Sequence, residues 1–159
     1  MIIRKATEKD IPRIKELWDS LIEYHRKHFG YGSGIFQYKK DKDAIYLRFL
    51  KKQVRRRNAA IFVAEKEGKI VGHVMVEVGA IPPIYVHRKQ AYICEIVVDE
   101  KHRGKGIGTA LLEDAGLWAK KKGLYSISLM VHTGNKHAFS TYKSCGFEEN
   151  HLKMVKTVK

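Results

Sequence analysis

Alternating apolar and polar residues mark two neighbouring stretches in the middle of the chain, residues 59–65 and 69–80. A period of two is typical of half-buried strands, so the pattern predicts a β-hairpin. Within the second strand, successive side chains point to opposite faces of the sheet. Val74 is therefore expected on one face, and His73 and Glu77 on the other.

Helical spacing of apolar residues predicts four helices. The first begins at a capping-box pattern formed by Thr7 and Asp10. The second, at residues 41–57, is very basic. A third follows a glycine-rich loop and ends near Gly123, and a short fourth covers about residues 136–145. The apolar residues of the second helix are Ile45, Leu47, Phe49, Leu50 and Val54.

Four further strands complete the pattern. A short one begins at Ile2, and others are expected at residues 90–100, 127–132 and 147–158. The succession of strand, glycine-rich loop, helix and strand between residues 90 and 132 is a βαβ unit, whose two strands should be parallel neighbours. The whole chain, residues 1–159, is thus predicted to be a single α/β domain.

The loop before the third helix has glycine at alternate positions, Gly104, Gly106 and Gly108. So much bare backbone suits a turn with positive φ, or a surface that a ligand approaches closely. The unpaired N–H groups at the start of the following helix would point at one spot and the helix dipole would reinforce them, which favours a phosphate. The spacing fits neither a Walker loop nor the dinucleotide-binding fingerprint.

The amino-acid composition limits which ligands and sites are expected. The 159 residues include 31 Lys and Arg against 17 Asp and Glu, a formal net charge of +14, which attracts anions such as a polyphosphate ligand. Nucleic-acid binding is not expected, because no aromatic recognition motif accompanies the basic clusters. Cys94 and Cys145 lack CxxC spacing and the eight histidines lack a close ligand pair, so neither a disulfide nor a metal site is expected.

The expected compartment is the cytoplasm. The N-terminus has no apolar leader-type segment, and no stretch of the sequence is apolar for long enough to span a membrane. We therefore expect no membrane association.

Two motifs point to a known family. The letters R-G-K-G-I-G at residues 103–108 match the pattern Q/R-x-x-G-x-G/A, and N-K-H-A-F-S-T-Y-K-S-C-G-F at residues 135–147 matches N-x-x-A-x-x-x-Y-x-x-x-G-F. Both are motifs of the GNAT superfamily of N-acetyltransferases, which the chain resembles strongly over about residues 59–149. The region of residues 8–57, which shapes the acceptor site in such enzymes, matches only in outline.

The resemblance implies a mixed, splayed β-sheet of six to seven strands flanked by helices. A bulge in the strand at residues 90–100 would part it from the strand at residues 127–132, and acetyl-CoA would lie in that cleft as the cosubstrate, without a metal. Loop amides would hold the pyrophosphate, main-chain groups of the strand would hold the pantetheine, and Asn135 would bond to the pantetheine arm. The implied cofactor-binding residues are Ile96, Val98, Arg103, Gly104, Lys105, Gly106, Gly108, Thr109 and Asn135.

Tyr142 and Glu95 are the candidate catalytic residues. An amine of pKa about 10 must lose a proton before it attacks, and the leaving thiolate must gain one. Glu95 lies within the apolar strand beside the implied thioester position and is the candidate base, although Glu77 or a chain of waters could replace it. Tyr142, two turns beyond Asn135, is the candidate acid, unless it is only a core aromatic. Cys94 is not expected to be a nucleophile, because direct transfer needs none.

The expected reaction is transfer of an acetyl group from acetyl-CoA to an amine by direct attack in a ternary complex. The acceptor would be a small molecule or a protein amine, and a glycine-punctuated aromatic loop at residues 29–38 is a candidate rim of its site. A homodimer is left open. The alternative is a non-catalytic acyl-CoA-binding module, or a regulatory module associated with the ribosome or another protein.

Overall fold

A computed structural model describes residues 1–32 and 34–158. Ser33, in the predicted loop of residues 29–38, and Lys159, at the end of the predicted domain, lie outside the described residues. No helix in the described part of the chain is both long enough and apolar enough to cross a membrane.

One sheet forms the centre of the fold. Its strands follow chain order, β1-β2-β3-β4-β5, and every neighbouring pair is antiparallel except β4 and β5, which are parallel. The predicted hairpin and the predicted βαβ unit are therefore both confirmed. The bounds are β1 Ile2–Lys5, β2 Ala59–Lys66, β3 Lys69–Ala80, β4 Lys89–Val98 and β5 Ile127–Leu129.

In the described part of the chain four α-helices flank the sheet, at α1 Ile11–Phe29, α2 Lys42–Arg55, α3 Ile107–Lys121 and α4 Lys136–Ser144. The predicted capping box lies at a short 3-10 turn that leads into α1, where the backbone N–H and the hydroxyl of Thr7 both donate to Oδ2 of Asp10. Gly123 follows the end of α3 with a φ of +66°, as expected for a helix terminator.

The number of strands was predicted wrongly. Among the described residues the sheet has five strands, not six to seven, because residues 147–158 form no strand. The apolar side chains that alternate in that segment are not packed against the rest of the fold, since Leu152 and Met154 are 72% and 85% exposed. β5 is also shorter than predicted, and it pairs with β4 only over residues Ala91 to Ile93.

The sheet separates two apolar cores. Val74, Val76 and Ile93 pack on the side of α3, whereas Met75 and Val97 pack on the side of α1 and α2. This confirms the predicted division of β3 between its two faces. Among the described residues, the α1/α2 side also buries the polar side chains of Asp10, Gln53 and His73.

A bulge in β4 corrects the predicted faces of that strand. Met75 pairs with Glu95 and Val76 pairs with Ile93, so Cys94 is the extra residue. Simple alternation predicts that Ile93 shares a face with Val97 and that Cys94 shares one with Ile96. Both expectations are wrong, because the bulge reverses the alternation: Ile93 and Ile96 pack in the α3 core, and Cys94 and Val97 in the α1/α2 core.

Candidate active site

A cleft of about 350 Å³ opens where β4 leaves β5, with the glycine-rich loop at one end and α4 along one wall. This volume is in the range of ligand-binding pockets. All of the sequence-predicted site residues except Glu95 and Lys105 line the cleft, namely Ile96, Val98, Arg103, Gly104, Gly106, Gly108, Thr109, Asn135 and Tyr142.

The glycine-rich loop presents unused backbone donors to the cleft. Gly104 and Gly106 have φ of +71° and +75°, and Gly106 is the N-cap of α3. The first helical bond runs from the N–H of Ala110 to the carbonyl of Gly106 at 3.0 Å. The amides of Gly108 and Thr109 in the first turn consequently have no acceptor among the described residues. Together with the positive end of the helix dipole they make a site for an anion.

Arg103 and Lys105 make contacts of their own at the glycine-rich loop. The N–H of Arg103 already donates to the carbonyl of Glu100 at 3.3 Å. Its guanidinium donates to the carbonyl of Val98 at 3.2 Å and lies 5.6 Å from the centre of the Tyr24 ring, which ties the loop to β4 and α1. Lys105 points away, with its ammonium bonded to the carbonyl of Lys101 at 3.1 Å.

The edge of β4 beside the cleft carries main-chain groups that β5 does not use. The N–H of Asp99 donates to the carbonyl of Val71, on the β3 side, at 2.8 Å. Because consecutive residues of a strand point their polar groups to opposite edges, those of Val98 and Ile96 point to the cleft. The bond from Arg103 to the Val98 carbonyl agrees with this direction. An extended ligand could pair with this edge as a further strand.

Asn135 and Tyr142 lie on the opposite wall. Asn135 caps α4, its Oδ1 accepting the N–H of Ala138 at 3.2 Å, so the amide nitrogen of its side chain is left to donate. The Tyr142 ring packs in the α3 core and makes an edge contact with Phe147 at 5.9 Å. Its hydroxyl has no hydrogen bond within residues 1–32 and 34–158. Burial raises the pKa of Tyr142 to about 12, so the phenol stays protonated at neutral pH.

Glu95 lies on the other side of β4, away from the cleft wall. Its side chain is 12% exposed, and Oε1 contacts both the hydroxyl of Tyr46 and Nε2 of His73, the latter at 2.8 Å. Oε2 has no partner in the described part of the chain. Glu77 and Cys94, the other two candidate residues on this side of the sheet, are less suited to proton transfer and to acyl transfer, respectively.

Glu77 is engaged elsewhere and Cys94 is not ionised. Glu77 makes an ion pair with Arg56 at 2.8 Å and accepts from Gln53 at 3.3 Å, so it joins α2 to β3. Burial, aided by two nearby carboxylates, raises the pKa of the Cys94 thiol to about 12. A thiol of that pKa is a poor nucleophile at neutral pH.

Two residues of this region, Tyr46 and His73, were not singled out from the sequence. Both are buried, and both reach Glu95 across elements that are distant in sequence. A signal for Tyr46 does exist, because Tyr46, Leu50 and Gln53 follow helical spacing and are the buried residues of α2. The predicted stripe included Ile45 and Phe49, which are both exposed.

The model of the acetyltransferase (GNAT) family matches residues 14–147, which is most of the chain. The chain belongs to that family. In this sequence the two motifs of the family lie in the glycine-rich loop and in the segment from Asn135 to Tyr142.

Relatives and solved structures agree with this assignment. An uncharacterized N-acetyltransferase of Methanocaldococcus jannaschii is 37% identical over 98% of this chain, and the chain spans slightly less than two thirds of that relative, 66%. A mutant of a Bacillus halodurans protein has a TM-score of 0.87 at 27% identity, with both chains fully covered. A predicted acetyltransferase of Clostridium acetobutylicum, solved with acetyl-CoA, shares the fold, with a TM-score of 0.77 at 21% identity over 98% of this chain and 95% of that one.

Proposed function

We propose that this protein transfers an acetyl group from acetyl-CoA to an amine by direct attack. The observation that carries the proposal is the cleft itself, which has unpaired amides at the N-terminus of α3 at one end and the hydroxyl of Tyr142 on its wall. No group of three or more metal-ligating side chains occurs among residues 1–32 and 34–158.

The chain's own groups suit each part of acetyl-CoA. The amides of Gly108 and Thr109 would hold the pyrophosphate, as unpaired donors at a positive helix terminus do. The outward main-chain groups of Ile96 and Val98 would pair with the pantetheine arm, and the side-chain amide of Asn135 would donate to it. Arg103 would contribute positive charge rather than a backbone bond, because its N–H is already used.

The two catalytic roles fall on opposite sides of β4. Glu95 would take a proton from the acceptor ammonium through its unpartnered Oε2, either directly or through one water. Tyr142 would donate to the leaving sulfur. Its pKa of about 12 lies above the value of about 8.5 for an ordinary thiol, so the phenol is a hydrogen-bond donor to the thiolate and is reprotonated at once if it gives up its proton.

The acceptor is an amine of a small molecule or of a protein, reaching Glu95 from the side of α1 and α2. The single domain over residues 1–159 and the cytoplasmic location stay predictions from the sequence, and a homodimer stays open.

The proposal is tested by two measurements on the wild-type protein. The first is acetyl-CoA consumption with a panel of small amines, amine-bearing antibiotics and peptides. The second is CoA binding by calorimetry, with Gly106→Val beside Gly123→Val. Both glycines have positive φ, +75° and +66°, and a Cβ at either would meet no atom within 4 Å. The two variants therefore carry similar backbone strain and differ in whether the side chain stands in the cleft.

We expect Gly106→Val to weaken CoA binding by at least about 10-fold, because its side chain fills space that the phosphates need, and Gly123→Val to bind as the wild type does. Equal CoA affinity in both variants would show that the pyrophosphate does not lie at this loop. Absence of acetyl transfer to every amine of the panel, together with retained CoA binding, would favour a non-catalytic module.

A further inference from the structure

One oxygen of Glu95 is held from two sides. Tyr46 of α2 donates its hydroxyl to Oε1, and Nε2 of His73, on the neighbouring strand β3, lies 2.8 Å from the same atom. Oε2 has no partner among the described residues. The carboxylate thus has one oxygen that is fixed by the fold and one that is left for something else.

The surroundings of His73 indicate which nitrogen carries its proton. The side chain is completely buried, and none of the described residues offers a hydrogen-bond partner to Nδ1. A buried N–H without an acceptor is more costly than a buried lone pair without a donor, so Nδ1 is expected to be unprotonated. The proton is then on Nε2, which makes His73 a donor to Glu95.

Tyr46 is equally well placed to donate. Its ring is stacked on Trp18 at 4.0 Å with an interplanar angle of 12°, and it is 8% exposed. Burial and the neighbouring carboxylate of Glu95 raise the pKa of Tyr46 far above its usual value. The hydroxyl therefore keeps its proton and the ring has little freedom to turn.

We propose that Tyr46 and His73 are positioning residues that clamp Oε1 of Glu95 and thereby turn Oε2 toward the acceptor amine. Neither residue lines the cleft, so neither touches the cosubstrate, and both act through Glu95. The inference rests on the proposed function and extends it, because it names the groups that fix the base.

The proton transfer that this arrangement serves is simple. One N–H bond of the acceptor ammonium breaks and an O–H bond to Oε2 forms, while the electron pair stays on the nitrogen. That pair attacks the thioester carbonyl, the C–S bond breaks, and the sulfur leaves with its electrons. The nitrogen then loses its surplus proton and the thiolate gains one, through the hydroxyl of Tyr142 or a water, so the products are a neutral amide and a thiol. The proton on Oε2 is released to solvent. A carboxylate that is free to rotate would take the proton less often in the right geometry.

The first experiment is a double-mutant cycle measured by steady-state kinetics with the best acceptor of the panel. Tyr46→Phe keeps the stacked ring and removes only the donor, so kcat should fall about 10-fold or more, with the KM for acetyl-CoA unchanged. In the Glu95→Gln background the same substitution should cost almost nothing, because its effect depends on the carboxylate. A merely structural hydroxyl would cost the same in both backgrounds, and that result would overturn the proposal.

A matched control and a second site keep the result interpretable. Tyr92→Phe removes the hydroxyl of another part-buried tyrosine, on the same strand as Glu95 but without a bond to it, and should leave kcat unchanged. His73→Gln retains a donor near the place of Nε2 and should preserve most activity, whereas His73→Leu should lose as much as Tyr46→Phe. Equal activity of the Gln and Leu variants would contradict the role of His73.

NMR of the ring nitrogens of His73 tests its role as a donor without any acceptor amine. We expect a proton on Nε2 and a bare Nδ1 in the wild-type protein. A proton on Nδ1 would overturn the donor role of His73 even if the enzyme is active. If the wild type acetylates none of the amines, the proposed function fails while the ring tautomer still reports on the clamp.

Discussion

The two faces of β4 carry different kinds of site. On the α3 face the groups are backbone donors from a single loop, residues 104–109, and from the edge of the strand itself. On the α1/α2 face they are side chains from three elements that are far apart in sequence, Tyr46, His73 and Glu95. The first kind needs glycine at fixed spacing and so leaves a motif, whereas the second needs only three side chains that meet in the fold.

The two faces of β4 suit different chemical tasks. Among the described residues the cleft on the α3 face is lined by hydrogen-bond donors and by no carboxylate, which suits binding of an anionic cosubstrate. The α1/α2 face holds a carboxylate with one free oxygen, which suits removal of a proton. If the two tasks are divided in this way, substitutions on one face should change cofactor affinity and those on the other should change turnover.

The largest effect is expected for Glu95→Gln, compared with Glu77→Gln. Glu95→Gln should lower kcat/KM by roughly 10²- to 10⁴-fold, the usual contribution of a general base, with CoA affinity unchanged. Glu77 is already paired with Arg56, so Glu77→Gln should have little effect on turnover. Steady-state kinetics at saturating acetyl-CoA make the comparison, and a larger loss for Glu77→Gln would transfer the role of base to that residue.

Tyr142→Phe tests whether the α3 face also takes part in the chemistry. The ring keeps its contact with Phe147 and loses only the hydroxyl, so the melting temperature should change little while kcat falls by about 10²-fold. Tyr125→Phe, at a tyrosine that is 77% exposed, is the control. A Tyr142→Phe variant with the turnover number of the wild type would leave Tyr142 as a core aromatic.

The extent to which the sequence predicted the site follows the same division. Every cofactor-binding residue predicted from the two motifs lines the cleft except Lys105. Motif positions on one loop and one helix stay close to each other whatever the rest of the chain does. Glu95 was singled out, but its partners were not. Tyr46 lies on α2 and His73 on β3, and no local pattern of the sequence pairs either of them with Glu95 of β4.

The fold was predicted for similar reasons. The hairpin and the βαβ unit have strong local patterns and were confirmed. The strand predicted at residues 147–158 was wrong, because alternation records the pattern of a segment and not whether the fold covers its apolar side chains. The bounds of α2, α3 and α4 differ from the predicted ones by at most two residues, which is the usual ambiguity at frayed ends. The helix α1 begins only at Ile11, because the predicted capping box opens the 3-10 turn that precedes it.

Gly72 and Gly79 of β3 differ in how closely they pack against neighbouring elements. A Cβ on Gly72 would lie 2.8 Å from the carbonyl oxygen of Val97 and 3.3 Å from Leu111, whereas one on Gly79 would make ordinary contacts from 3.5 Å. Gly72→Ala must therefore push β4 and α3 away, and should lower the free energy of unfolding by about 1–3 kcal/mol. Gly79→Ala should change it much less. Urea unfolding measures both, and equal stabilities would mean that the α3 core yields easily at this point.

The smallest effect concerns a polar cluster that has no part in the proposed chemistry. Arg4 holds both oxygens of Asp10, at 2.8 and 2.9 Å, and Thr7 donates twice to Oδ2. The hydrogen bonds from Arg4 lower the pKa of Asp10 to about 2, from an ordinary value of 3.8. A carboxyl whose pKa is lower in the folded state stabilises the fold above its unfolded pKa, and this contribution is lost as the pH falls through the folded value.

Asp10→Asn should therefore lower the free energy of unfolding by about 1 kcal/mol at pH 7, and the gap to the wild type should close between about pH 4 and pH 2. Acetyl transfer by the folded variant should equal that of the wild type, unlike that of Glu95→Gln. Glu16→Gln, at an exposed partner of Arg13, serves as the control and should show no such dependence on pH. If the gap is the same at pH 2 as at pH 7, the loss comes from shape and not from the charge of Asp10.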